Sequence, residues 1–228
     1  MKKNICVVVA SRANYGRVKY LMKAIKEHPS LNLQLVLGAS ALLERYGKAV
    51  NVIKSDGFTP LHSIHYVVEG QTLATQAKST GLGIIELSSV FSNMNPDLVI
   101  TVADRYETMA TAICASYMNI TLAHTMGGEV SGTIDESIRH SITKLSHLHF
   151  AASRDAENRI IKLGENKENI FNVGCPRIDL VKSYLEKDDS PIKYLDEGVG
   201  ETLNLLNPFV LVSFHPVTTE YGQAGSQI

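Results

Sequence analysis

At least six times over roughly the first 175 residues, a short apolar, β-branched run gives way to a segment with apolar positions every three or four residues. Residues 5–10 read Ile-Cys-Val-Val-Val-Ala, a continuous run of the kind buried on both faces of a sheet. Helical spacing follows through Val18, Leu21, Met22 and Ile25 and stops near His28 and Pro29. Further strands are expected at residues 31–38, 61–68, 98–102, 120–124, 148–152 and 170–173, the one at 61–68, third in the chain, being more polar and nearer an edge. Helices are expected at 41–55, 72–94, 108–117, 154–163 and 177–186, and one more carrying Ile134, Ile138, Ile142 and Leu145. Thr133 fits its N-cap, with Glu136 three residues on as in a capping box. Strand–helix alternation of this kind predicts an α/β fold, a Rossmann-like, doubly wound parallel sheet with right-handed crossovers.

The pattern changes near residue 176. Residues 1–176 read as one N-terminal Rossmann-like domain, 177–207 as a connector with a charged, turn-rich centre, and 208–228 as a strand with its exit loop. The strand, at 208–214, has no sheet of its own, so the chain is expected to stop just inside a truncated second Rossmann-like domain.

Composition excludes several functions. With 22 Lys and Arg against 23 Asp and Glu, the net charge of −1 carries no electrostatic footprint for nucleic acid. No apolar run approaches the roughly 20 residues of a membrane span. The opening run is only six residues before Ser11-Arg12, too short for a signal peptide. Three scattered cysteines, Cys6, Cys114 and Cys175, suggest a reducing, cytoplasmic setting without disulfides or a metal cluster.

Polar residues that can do chemistry recur just after strands or at the next helix start. They are Arg12, Asp104 with Arg105, Glu129 with Asp135, and His215. In an open parallel sheet these places gather along the carboxyl edge, where ligands bind. Guanidinium groups suit phosphate oxygens because they are planar, permanently charged and bidentate. Grouped carboxylates suit proton transfer, since burial or a like charge moves one of them toward neutrality. The combination indicates acid/base chemistry on a phosphorylated, nucleotide-linked substrate. Taken singly, each residue also fits a plainer role. Asp104 suits a cap, Glu129 a turn, and Asp135 with Glu136 a first helical turn that favours acids. The loop at 11–17 holds one glycine, Gly16, which excludes a dinucleotide fingerprint and a P-loop. His140, His147 and His149 lack partners at metal-ligand spacing, and Cys114 reads as core.

The motifs together are specific. Ser11-Arg12-Ala13-Asn14-Tyr15-Gly16, Asp104-Arg105-Tyr106-Glu107, the run from Gly127 to His140, Ile142-Thr143-Lys144-Leu145-Ser146-His147, and His215-Pro216-Val217-Thr218-Thr219 resemble the hydrolysing UDP-N-acetylglucosamine 2-epimerases of sialic acid and related nonulosonic acid synthesis. The resemblance implies a GT-B fold, two Rossmann-like domains facing across a cleft, of which this chain holds the N-terminal half. It implies that water and UDP-N-acetylglucosamine give N-acetylmannosamine and UDP, with no cofactor. Asp104, Glu129 and Asp135 would form the acid/base set, without an assignment of which takes the C2 proton. Arg12, Arg105 and His215 would contact the nucleotide diphosphate. A homodimer or homotetramer is implied. Met126 stands where some members carry a carboxylate or histidine, which implies that this position is not essential.

Three rivals remain beside that expectation. The same chemistry on a GDP-linked or diacetamido sugar nucleotide is one. A non-hydrolysing epimerase is another, against which the Gly-Gly-Glu-Val-Ser-Gly-Thr run argues. The third is a nucleotide-sugar-binding fragment without catalysis. Residues 1–228 alone are expected to show little turnover, because a half-cleft leaves the diphosphate solvated.

Overall fold

The computed structural model describes residues 2–70, 72–186, 200–201, 207–214 and 222–227. By internal contacts the chain divides into Met1–Arg177 and Ile178–Ile228.

The first unit alternates strands and helices throughout. In chain order these are β1 (Lys3–Val9), α1 (Arg12–Glu27), β2 (Leu31–Gly38), α2 (Ala49–Ser55), β3 (His62–Ile64), α3 (Leu73–Met94), β4 (Leu98–Val102), α4 (Tyr106–Tyr117), β5 (Thr121–Thr125), α5 (Ile134–Leu145), β6 (Leu148–Ala151), α6 (Arg154–Lys162) and β7 (Ile170–Asn172), and the next helix, α7 (Pro176–Leu185), lies mostly in the second unit. All strand pairs are parallel, in the order β3-β2-β1-β4-β5-β6-β7. The order reverses between β1 and β4, the switch point of a doubly wound sheet, so the expected fold class stands. The polar third strand lies at the edge as expected, although it is only three residues long.

The alternation of β1 divides the core. Ile5, Val7 and Val9 pack with Val18, Met22 and Ile25 of α1 and Ile53 of α2 on one face. Cys6, Val8 and Ala10 pack with Leu87 and Phe91 of α3, Ala112 of α4 and Ile142 of α5 on the other. A strand covered on both faces needs the unbroken apolar run that the sequence supplies.

Four local expectations change. The loop expected at 11–17 is instead the first turns of α1. Ser11 accepts from the Asn14 amide at 3.1 Å, and Asn14 Oδ1 accepts from the Ala10 amide, so helix follows strand almost at once. The helix expected at 41–55 is broken, since Gly47 at φ +80° and Lys48 at φ +41° are left-handed and end short 3-10 turns before α2 begins. Thr133 caps α5, but Glu136 does not close a capping box. Its carboxylate reaches further back and accepts from the Ser131 and Gly132 amides at 2.7 and 2.9 Å. The strand expected at 208–214 carries no strand structure, and Val210, Leu211 and Val212 are each more than three-quarters exposed. A strand persists through its ladder partners, and none is present among the described residues.

Candidate active site

The carboxyl ends of β1, β4 and β5 hold most of the polar residues singled out in the sequence. Two of these ends carry a backbone feature that spacing does not reveal. Ala103, after β4, and Met126, after β5, are non-glycine residues at φ +61°. Each costs about 1–2 kcal/mol relative to ordinary backbone, and each is tied to the neighbouring strand. The Ala103 amide donates to the Thr125 carbonyl and the Met126 amide to the Phe150 carbonyl, both at 3.0 Å. The left-handed step turns the following residues, Asp104 and Gly127, out of the strand direction.

Asp104 is not the exposed cap that its position allows. It pairs with Arg139 of α5, with side-chain exposures of 15% and 5%. Arg139 Nη1 also donates to the Glu129 carbonyl at 2.8 Å. One guanidinium therefore ties the β4 exit to the Gly-Gly-Glu turn after β5. Glu129 is half-buried, and burial raises its carboxyl above the usual range against the opposing Arg17. Arg17 also acts on Arg139, so this second-turn residue of α1 belongs to the same electrostatic field.

Arg105, the next residue, builds a second group. Its Nε donates to Glu107 Oε2 at 3.1 Å, and Glu107 is fully buried. Burial raises the Glu107 carboxyl, with Arg105 opposing. Burial works against the charge on Arg105, but Glu107, Tyr106 and Asp135 outweigh it and the group is raised. Asp135, in the first turn of α5, is likewise raised by burial and held down in part by Arg105. Asp104, Glu129, Asp135 and Arg105 are thus drawn into linked groups. Arg12 stands apart at the start of α1, exposed, with its guanidinium facing Gly47. His215 lies outside the described residues.

Sequence reasoning passed over Arg139, Arg17, Glu107 and His124. Glu107 and Arg139 lie inside quoted motifs, and a charged residue among helical core positions is itself a signal of a buried partner. The glycine pair is explained by contact. A Cβ on Gly127 would stand 2.8 Å from His124 Nδ1 and 2.9 Å from Thr143 Oγ1. Gly128, at φ +76°, lies against the Ala156 carbonyl, and its own carbonyl accepts from Arg159.

The edge thus brings the guanidinium groups of Arg105 and Arg139, each already paired with a carboxylate, beside two partly exposed carboxylates, Glu129 and Asp135, whose affinity for protons burial raises. No helix among the described residues is long and apolar enough to cross a membrane.

Comparison with known proteins gives consistent results. The family model described as UDP-N-acetylglucosamine 2-epimerase matches residues 23–228. A UDP-N,N'-diacetylbacillosamine 2-epimerase (hydrolyzing) of Legionella pneumophila is 36% identical over 81% of this chain and 49% of that protein. A UDP-N-acetylglucosamine 2-epimerase of Neisseria meningitidis is 32% identical over 96% of this chain and 56% of that protein. The crystal structure of UDP-GlcNAc 2-epimerase from Neisseria meningitidis bound to UDP-GlcNAc superimposes with a TM-score of 0.71 at 19% identity, covering 80% of this chain and 50% of that one. The chain thus spans about half the length of the relatives it matches.

Proposed function

The chain belongs to the UDP-N-acetylglucosamine 2-epimerase family, and on that premise we propose that this protein is a hydrolysing 2-epimerase of a UDP-linked N-acetylated amino sugar. The observation that carries the reading is the gathering of Asp104, Glu129 and Asp135 with Arg105 and Arg139 at the carboxyl edge of β4 and β5. A carboxylate of this set removes the proton at sugar C2, and its electron pair forms the C1–C2 double bond as the C1–O bond to UDP breaks. Water then adds at C1, and a proton returns to C2 on the opposite face. Free 2-epimerised sugar and UDP result, and every atom of water is accounted for. Arginines stabilise the charge that develops on the leaving diphosphate. In this reading Arg105, Arg12 and His215 take that role. The site forms one wall of a GT-B cleft, and the facing domain supplies the rest of the nucleotide contacts.

UDP-N-acetylglucosamine is the substrate the motifs favour. A diacetamido sugar nucleotide is the second reading, supported by the higher identity to the Legionella pneumophila relative named for UDP-N,N'-diacetylbacillosamine. The test incubates the 228-residue chain, and the longest gene product that contains it, with each nucleotide sugar in D2O. Free sugar deuterated at C2 with an equal amount of UDP is expected from the longer product. Epimerised sugar still attached to UDP would overturn the hydrolysing assignment, and no exchange with any substrate would overturn the enzyme reading.

A further inference from the structure

Behind the carboxylates lies a closed ring of buried contacts centred on His124. This side chain of β5 is wholly buried between the β4 exit and α5. Its Nε2 lies 2.8 Å from the Ala103 carbonyl oxygen. A carbonyl only accepts, so Nε2 carries the ring proton and Nδ1 is left as an acceptor. Nδ1 faces Thr143 Oγ1 at 3.2 Å. The Thr143 hydroxyl proton has a second acceptor within reach, the Arg139 carbonyl at 3.1 Å. Arg139 in turn holds Asp104, the residue covalently joined to Ala103. The contacts therefore run Ala103, Asp104, Arg139, Thr143, His124 and back to Ala103, with the one Thr143 hydroxyl proton shared between His124 Nδ1 and the Arg139 carbonyl.

From this ring we propose that His124 is a positioning residue for Asp104, which fixes the carboxylate in its reactive orientation through the Ala103 carbonyl. The proposal rests on the functional reading above and deepens it. Ala103 is left-handed at φ +61°, a conformation that needs an external hold in a residue with a side chain. Its amide is held by Thr125 and its carbonyl by His124, so both anchors come from β5. Loss of the second anchor frees the Ala103–Asp104 peptide to rotate. Gly127 supports the same view. Any side chain there would press on His124 Nδ1 and Thr143 Oγ1 at once and force the ring apart. A histidine that only filled space would need neither hydrogen bond.

The test compares His124→Gln with His124→Leu in the longest gene product containing the chain. The glutamine amide nitrogen reaches about where Nε2 stands and keeps the donor to Ala103, whereas leucine keeps bulk and loses the donor. With both variants folded by circular dichroism, His124→Leu is expected to lower kcat about 100-fold, the usual cost of misplacing a reacting group by about 1 Å. KM stays within about threefold, because the arginines that hold the diphosphate are untouched, and His124→Gln stays within about threefold of wild type in kcat. Equal losses in both variants, or a loss confined to KM, overturn the proposal, and so does failure of His124→Leu alone to fold. Wild-type turnover with an unimpaired His124→Leu overturns this proposal alone. No turnover in the wild-type protein overturns the functional reading, and this proposal with it.

Discussion

Arg139 of α5 and Asp104 at the end of β4 form an ion pair in which both side chains are largely withdrawn from water, at 5% and 15% exposure. The same guanidinium holds the Glu129 carbonyl. Removing one member of a buried pair leaves an uncompensated charge, which costs about 3–5 kcal/mol. Arg139→Met is expected to lose about that much by urea denaturation. Asp104→Leu combined with Arg139→Met is expected to recover most of it, since an apolar pair leaves no stranded charge. Strict additivity of the two single changes in a double-mutant cycle would show that the pair is not coupled.

His124 makes stability depend on acid. Burial pushes its imidazole down from 6.5 to about 4, with the bond to Ala103 opposing and His149 and His140 adding to the fall. The unfolded chain therefore takes up this proton first as pH drops. Stability is intact above about 6.5 and is lost as pH falls toward about 4, an effect on the order of 3 kcal/mol. His149, also lowered by burial with Glu165 opposing, adds to the loss in the same direction. Urea midpoints between about pH 7.5 and 4.5 are expected to fall less steeply in His124→Gln than in the wild type. Parallel slopes would rule out a buried neutral His124.

Two left-handed glycines should respond differently to alanine. Gly128 at φ +76° has the Ala156 carbonyl and Ile160 Cγ1, at 2.8 Å, where a Cβ would go. Gly132 at φ +68° has open space there. Gly132→Ala carries only the backbone penalty of about 1 kcal/mol. Gly128→Ala adds overpacking of about 1–3 kcal/mol and displaces the carbonyl that accepts from Arg159. Thermal denaturation of the two variants checks the order, and a smaller shift for Gly128→Ala would contradict it.

Burial raises both Glu129 and Asp135, with Arg17 and Arg105 respectively opposing. A general base acts when ionised, so turnover falls as pH drops through its raised value. The acid limb of kcat/KM is expected to sit above the range of an exposed carboxylate. Glu129→Gln and Asp135→Asn are each expected to cost orders of magnitude in turnover with little loss of folding. A profile that stays flat down to the ordinary carboxylate range would remove both from the role of base.

What the sequence determined by itself is the fold class and the order of its elements. A β-branched run such as 5–10 and a stripe such as Val18, Met22 and Ile25 record period and burial in the residues themselves, so the doubly wound sheet follows from local pattern. The same pattern puts Asp104, Glu129 and Asp135 after strands, and the topology then places them along one edge. Local pattern does not fix φ at a single residue or choose a partner across the fold. The break at Gly47 and Lys48 depends on two left-handed residues, and the missing strand at 208–214 on the lack, among the described residues, of a neighbour to pair with. Tertiary structure alone turned Asp104 onto Arg139 and closed His124 against Ala103. Each of these joins groups that only packing brings together. Water is excluded there, and an unpaired charge or donor would cost more free energy than the pairing does.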